Sequence, residues 1–174
     1  MPRVRAVRSV DLAVTDMARA RDFYTNVWNL AEVEEADGVV YLRATGAYHH
    51  VLSLRTGPRA ALIRVVLDAA DQPTTKELFV QVGGHGALTD GAPRPLHRPG
   101  DGYGFGFKDP EGRNFAVVCD VADHPAARVR ADRPAKLSHV NLNCGDNDNS
   151  FAFTVPNVPV SMPDWIIRRK PRSN

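Results

Sequence analysis

Val10-Asp11-Leu12-Ala13-Val14-Thr15-Asp16-Met17-Ala18-Arg19-Ala20-Arg21-Asp22-Phe23-Tyr24 is the stretch whose reading decides the fold. Its first half completes an alternation of apolar and polar residues over 7–15, rich in β-branched side chains, which predicts a strand. Asp16 then stands where an N-cap belongs, because a short carboxylate can accept from the free amides of a first helical turn. Met17, Ala20, Phe23, Tyr24 and Val27 follow at helical spacing and are expected to share one face of a helix over 17–28.

Working outward, three short strand-like stretches follow at 31–34, 39–44 and 50–55. Asp37-Gly38 is the hairpin turn between the first two, and Gly46 punctuates the second gap. One strand, one helix and a three-strand meander make a βαβββ unit. The order then repeats. Residues 61–67 (ALIRVVL) predict a strand, and a helix opens at Thr74 or Thr75 and runs to Val82 before Gly83-Gly84. Strands are expected at 92–96, 103–107 and 114–120, the last two joined by the turn Asp109-Pro110-Glu111-Gly112. The fold class is therefore α+β, with paired βαβββ modules forming one domain over 1–122.

Residues 123–135, rich in Ala, Arg and Pro, read as a linker. Beyond it the opening phrase returns. At an offset of 130 residues His139, Val140, Asn141 and Leu142 lie over Ser9, Val10, Asp11 and Leu12, then Asp146 over Asp16 and Phe153 over Phe23. Residues 136–153 are expected to be the opening strand and helix of a second copy. From 154 to 174 the pattern fails: Pro156 and Pro159 cannot sit inside a helix, and an irregular, poorly ordered tail is expected. Leu137, Phe151 and Phe153 would need cover, from the first domain or from another chain.

The phrase 10–24, the paired βαβββ order and Asp109-Pro110-Glu111-Gly112-Arg113-Asn114, which matches a DPxGN-type turn, resemble the vicinal oxygen chelate superfamily. That superfamily contains glyoxalases, bleomycin- and fosfomycin-resistance proteins and extradiol ring-cleaving dioxygenases. A second opening after a linker is similar to the two-domain extradiol dioxygenases. The resemblance implies a metal-free first domain, with the three ligand positions falling on Ser9, Arg64 and Ala116. It also implies a catalytic second domain holding Fe(II), sometimes Mn(II), by two His and one Glu, with a catechol and dioxygen on the open positions. His139 falls on the first of those positions. The other two lie further along than Asn174, so this chain is expected to bind no iron alone and to end early in its catalytic domain, through a frameshift or an altered terminus. The small-molecule partner implied is an aromatic diol. The alternative is a metal-free binding module of the glyoxalase/bleomycin-resistance kind, in which Arg64 could meet an anionic group of a ligand.

Composition narrows the other classes. The 174 residues, 43% hydrophobic and 24% charged, suit an ordinary globular domain. No apolar run approaches a bilayer span and no apolar segment follows Met1-Pro2-Arg3, so a cytoplasmic protein without a membrane partner is expected. Cys119 and Cys144 fit neither a metal pair nor a disulfide framework, and Cys119 reads as a buried strand thiol. The net charge of +2 hides an uneven split: 14 Lys/Arg against 16 Asp/Glu over 1–125, and 8 against 4 over 126–174. Solvated ends commonly look like this, and no aromatic residue is interleaved to stack a base, so no nucleic-acid partner is expected. Some self-association is.

The remaining histidines read blandly. His49 and His50 begin a strand and should point to opposite faces, unable to chelate together. His85, His97 and His124 fall in loops and should be solvated. Glu32, Glu34 and Glu35 are the wet side of a strand, and Tyr24 and Trp28 are core residues. Gly100-Asp101-Gly102-Tyr103-Gly104-Phe105-Gly106 has a phosphate-loop spacing but precedes a strand, so it is expected to mark close backbone packing.

Overall fold

The computed structural model describes residues 3–85, 87–125, 128–146, 148–150 and 153. Eight strands form one sheet. β1 is Val4–Val14, β2 Ala31–Ala36, β3 Val39–Arg43 and β4 Leu52–Thr56. β5 is Ala61–Ala69, β6 Arg94–Pro95, β7 Tyr103–Lys108 and β8 Asn114–Cys119. Their spatial order, β2-β3-β4-β1-β5-β8-β7-β6, reads the same for each module from its outer edge inward. β4 runs parallel to β1 and β8 parallel to β5, and β1 and β5 join the halves antiparallel at the centre. The two βαβββ units expected from the sequence are thus present, related by a pseudo-twofold.

Each helix begins where a side chain can satisfy the first free amides. In α1, Met17–Asp22, the Arg19 amide donates to Asp16 Oδ1 at 3.0 Å. In α2, Gln72–Gly83, the Thr74 amide donates to Asp71 Oδ1 at 2.8 Å. α2 therefore starts earlier than Thr74, because Asp71 is its cap and Pro73 suits a first turn whose amides have no partner. α1 continues as a π-helical turn, Phe23–Val27, closed by the Trp28 amide on the Phe23 carbonyl at 3.2 Å. The wider turn shifts the helical phase. Met17, Ala20 and Tyr24 still pack on the core, but Phe23, Val27 and Trp28 are exposed, contrary to the single-face expectation.

The Asp37-Gly38 turn takes two left-handed residues, φ 53° and 72°, as a tight hairpin between twisted strands requires. β6 is shorter than expected: Pro93 and Pro95 lack an N–H to donate, and a ladder cannot be sustained through them. On the helix-covered face, Leu67, Val117, Phe105 and Phe107 pack beneath Leu78 and Val82 of α2, while Leu42, Leu52 and Leu54 pack beneath α1. Burying each such side chain contributes about 1.5–3 kcal/mol.

The described residues of the stretch expected as a linker, 123–125 and 128–135, are laid along the first module. The Thr45 amide donates to the Pro134 carbonyl and the Gly46 amide to the Ala135 carbonyl, both at 2.9 Å. A Cβ on Gly46 would collide with that Ala135 carbonyl, so glycine permits the approach. Residues 139–142 belong to no strand, which corrects the expected opening strand. A strand needs a hydrogen-bonded neighbour, and none runs beside this stretch among the described residues. It folds back instead: Leu137, Val140 and Leu142 pack against the first domain, and Phe153 sits 6.2 Å from Phe107, ring centre to ring centre. Residues 148–150 are helical, with the Asn149 amide donating to Asp146 Oδ1 at 3.0 Å. The expected irregular tail, 154–174, lies outside the described residues.

Candidate functional site

Alternation along the central strands sends Val65, Leu67, Val117 and Cys119 toward α2, and Arg64, Val66, Asp68, Ala116 and Val118 to the opposite, concave face. That face is polar and charged to a degree unusual for a protein interior. Asp68 is buried and accepts from Arg8 Nη1 at 3.0 Å and from Arg5 at 2.7 Å, while Arg8 lies 4.4 Å over the Tyr48 ring. Asp11, also buried, accepts from Arg64 Nε at 2.8 Å and Nη2 at 2.6 Å on one oxygen and from Ser53 Oγ at 2.7 Å on the other. Both acids are thereby held as paired carboxylates, the condition for keeping a charge away from water.

The three positions that the family resemblance assigns to metal ligands can be read from the register. Ser9 faces Val66 on β5, and Val66 faces Ala116 on β8. The row that contains Ser9 and Ala116 therefore passes through Val66; Arg64 lies two residues along the same face, opposite Asp11. Ser9 Oγ is buried without a hydrogen-bond partner among the described residues, and the side chains of Val66 and Ala116 have no donor atom. These residues do not fit a divalent ion, and among the described residues no three His, Cys, Asp or Glu side chains gather.

His139 lies away from this face. It is exposed, its Nδ1 is 3.2 Å from Ser138 Oγ, and it borders a mostly apolar groove of about 340 Å³ between Trp28, Leu30, Leu62 and the returning segment. Trp28, expected in the core, is half exposed on that groove. His49 and His50 do approach each other, Nδ1 to Nδ1 at 3.2 Å, because β4 starts only at Leu52 and strand alternation does not govern them. Burial, then the charges of Arg98 and His49, push His50 down to about 3, so it is a neutral ring near neutrality. His124 is not simply solvated: its Nδ1 meets the Arg43 guanidinium. His85 and His97 are exposed, as are Glu32, Glu34 and Glu35, with Arg21 pairing to Glu32 and Glu35. Cys119 is buried, and burial pushes its thiol up.

The loop between β6 and β7 closes one side of the concave face. Gly100, Asp101 and Gly102 all take positive φ, and a Cβ on Gly102 would stand 2.6 Å from Val121 Cγ2. The expected close backbone packing is what this glycine-rich stretch does. By turning tightly there, the loop brings Arg98 over a cavity of about 310 Å³. Sequence reading missed Arg98, which sits beside His97 in a Pro-rich stretch; the two glycines that follow it were the available signal.

The model of the glyoxalase/bleomycin resistance protein/dioxygenase superfamily matches residues 6–117. The chain belongs to this superfamily. A curated relative, the manganese-dependent 2,3-dihydroxybiphenyl 1,2-dioxygenase of Geobacillus genomosp. 3, is 23% identical over 172 residues, covering 90% of this chain and 54% of its own. The Mn(II)-bound glyoxalase from Novosphingobium aromaticivorans superposes with a TM-score of 0.83 at 31% identity, over 90% of this chain and 53% of that one. Homoprotocatechuate 2,3-dioxygenase from Brevibacterium fuscum, in its complex with 3,4-dihydroxyphenylacetate, shares the fold at a TM-score of 0.68 and 23% identity, over 79% and 45%. The superfamily member described here thus spans about half the length of the relatives it matches. No helix among its described residues is long and apolar enough to cross a membrane.

Proposed function

We propose that this chain is the metal-free half of an extradiol dioxygenase-like protein of aromatic compound degradation, acting in the cytoplasm on a small aromatic diol. Its Fe(II)- or Mn(II)-dependent ring cleavage would belong to a second module that opens near residue 136, with His139 at that module's first ligand position. The observation that carries the reading is the centre of the sheet, where Ser9, Val66 and Ala116 lie in one row without a His, Asp or Glu among them and Arg64 stands two residues away. The match to a relative named as a manganese-dependent ring-cleaving dioxygenase supports the reaction class. The likeness of the two opening stretches is supported separately by Asp146, which caps residues 148–150 in the way Asp16 caps α1.

Anaerobic reconstitution with Fe(II) or Mn(II) tests this, with metal quantified per chain and 2,3-dihydroxybiphenyl turnover followed by the yellow product. The expected result for the chain alone is clearly substoichiometric metal and no turnover. Stoichiometric metal with turnover would mean that residues of this chain assemble a complete site, and would overturn the assignment of a metal-free half.

A further inference from the structure

The cavity under the β6–β7 loop is lined by four guanidinium-bearing residues, Arg55, Arg64, Arg94 and Arg98, and by a single carboxylate, Asp90. Two of the four are engaged already. Arg64 is bound to Asp11, and Arg94 lies 3.8 Å from Asp90, whose Oδ2 also accepts from the Gly106 amide at 2.5 Å. Arg98 is different. Its Nε is fully buried and has no hydrogen-bond partner among the described residues. Asp11, whose negative charge acts on Arg98, is already bound by Arg64 and Ser53. Burial, then the neighbouring positive charge of Arg64, disfavours the protonated form of Arg98, so the loop holds this cation against an electrostatic cost. An anion in the cavity would offset that cost.

The walls decide what kind of anion. Leu96, Ala116 and Val118 make an apolar floor, and Gly106 leaves room beside it; a Cβ there would lie 2.6 Å from Thr89 Oγ1. At about 310 Å³ the cavity is at the small end of ligand sites. A guanidinium with an unpartnered Nε beside an apolar floor suits one planar carboxylate with a hydrophobic body, since the guanidinium matches carboxylate geometry. We propose that this concave cavity binds a small organic carboxylate, with Arg98 as its anchor and Arg55 at the rim. The site would be used whether or not the chain takes part in ring cleavage.

The test is a titration of the full chain, kept metal-free with EDTA, with sodium benzoate under constant ionic strength, followed by amide chemical shifts. Saturable shifts are expected at Arg98, Gly106 and Ala116. Benzyl alcohol, which has the same ring and no charge, should give none. Inorganic phosphate should bind at least about tenfold more weakly than benzoate, because it gains nothing from the apolar floor. Arg98→Met should weaken benzoate by at least about tenfold. It should also raise the melting midpoint of the ligand-free chain, a change that a merely structural arginine would not produce. Benzoate affinity unchanged in Arg98→Met would overturn the proposal, as would benzyl alcohol or phosphate matching benzoate. If Arg98→Met does not fold, the wild-type map decides alone: shifts absent, or confined to residues outside the cavity, overturn the site.

Discussion

Residues 9–23 and 139–153 carry Val, Leu, Asp and Phe at matching positions, yet the two stretches end in different structures. In the first, Val10 and Leu12 lie in the ladder between β4 and β5, pairing with Leu52 and Leu54 on one side and with Val65 and Leu62 on the other. In the second, Val140 and Leu142 pair with no strand among the described residues and lie partly buried against the first domain. What they share is the cap: Asp16 and Asp146 each accept from the backbone amide three residues on. A cap is satisfied within one turn of chain and forms wherever its residues occur. A strand depends on partners distant in sequence, so the same pattern gives a strand in one place and an unpaired segment in the other.

The second stretch is held by the turn at the end of the first domain. Asp109 folds that turn, accepting from the amides of Glu111 and Arg113 at 3.1 and 2.9 Å. Glu111 then accepts from the Gly145 and Asp146 amides, both at 3.0 Å, and Arg113 donates to the Asn143 carbonyl at 2.8 Å. These contacts are exposed and few, so the docking should be weaker than the sheet it rests on.

Hydrogen exchange would sharpen this contrast most. The Val10 amide donates to the Val51 carbonyl at 3.1 Å within the sheet, and it should exchange at least about a thousandfold more slowly than the amides of Val140 and Leu142. Equal protection would mean that the second stretch has a strand partner of its own. Next in size is truncation of the apolar residues. Leu54→Ala, at a fully buried position under α1, should cost about 2–5 kcal/mol in urea unfolding. Leu142→Ala should cost less than half as much, and a similar loss at both sites would show the second stretch to be an equal part of the core.

Acid acts on the first module through His50. An unfolded histidine titrates near its ordinary value, about 6.5, whereas the folded ring is held down to about 3. The unfolded state therefore binds more protons between these values, and stability is fully present above about pH 6.5 and falls as pH drops toward 3. Urea midpoints at pH 7 and pH 4.5 should separate by more in the wild type than in His50→Gln, and identical pH slopes would remove His50 as the cause. The smallest effect separates the two caps. Asp16→Ala should lower global stability by about 1 kcal/mol. Asp146→Ala should loosen the amides of 148–150 and leave the global midpoint where it was.

Most of the α+β architecture was legible because it rests on local signals of period and punctuation. The alternation of 7–15, the Asp16 cap, the Asp37-Gly38 turn and the Asp109–Gly112 turn all appear where the pattern puts them. The errors have equally local causes. Phe23 and Val27 were turned outward by a π-helical turn that spacing does not reveal, and two prolines cut β6 to Arg94–Pro95. The candidate site was far less legible. Arg64 could be placed on the inner face, but its partner Asp11 is 53 residues away in sequence and was read only as part of an opening strand.

Sequence by itself determined the two βαβββ units, their caps and turns, since each follows from residue type at a spacing of a few positions. Only the tertiary structure decided that Val66 rather than Arg64 shares a row with Ser9, because register is set between strands. It also decided that residues 139–142 would join no strand among the described residues and that the Nε of Arg98 would be buried without a partner there. Those outcomes depend on which distant strands meet, and on a loop folding back across a face that no linear pattern describes.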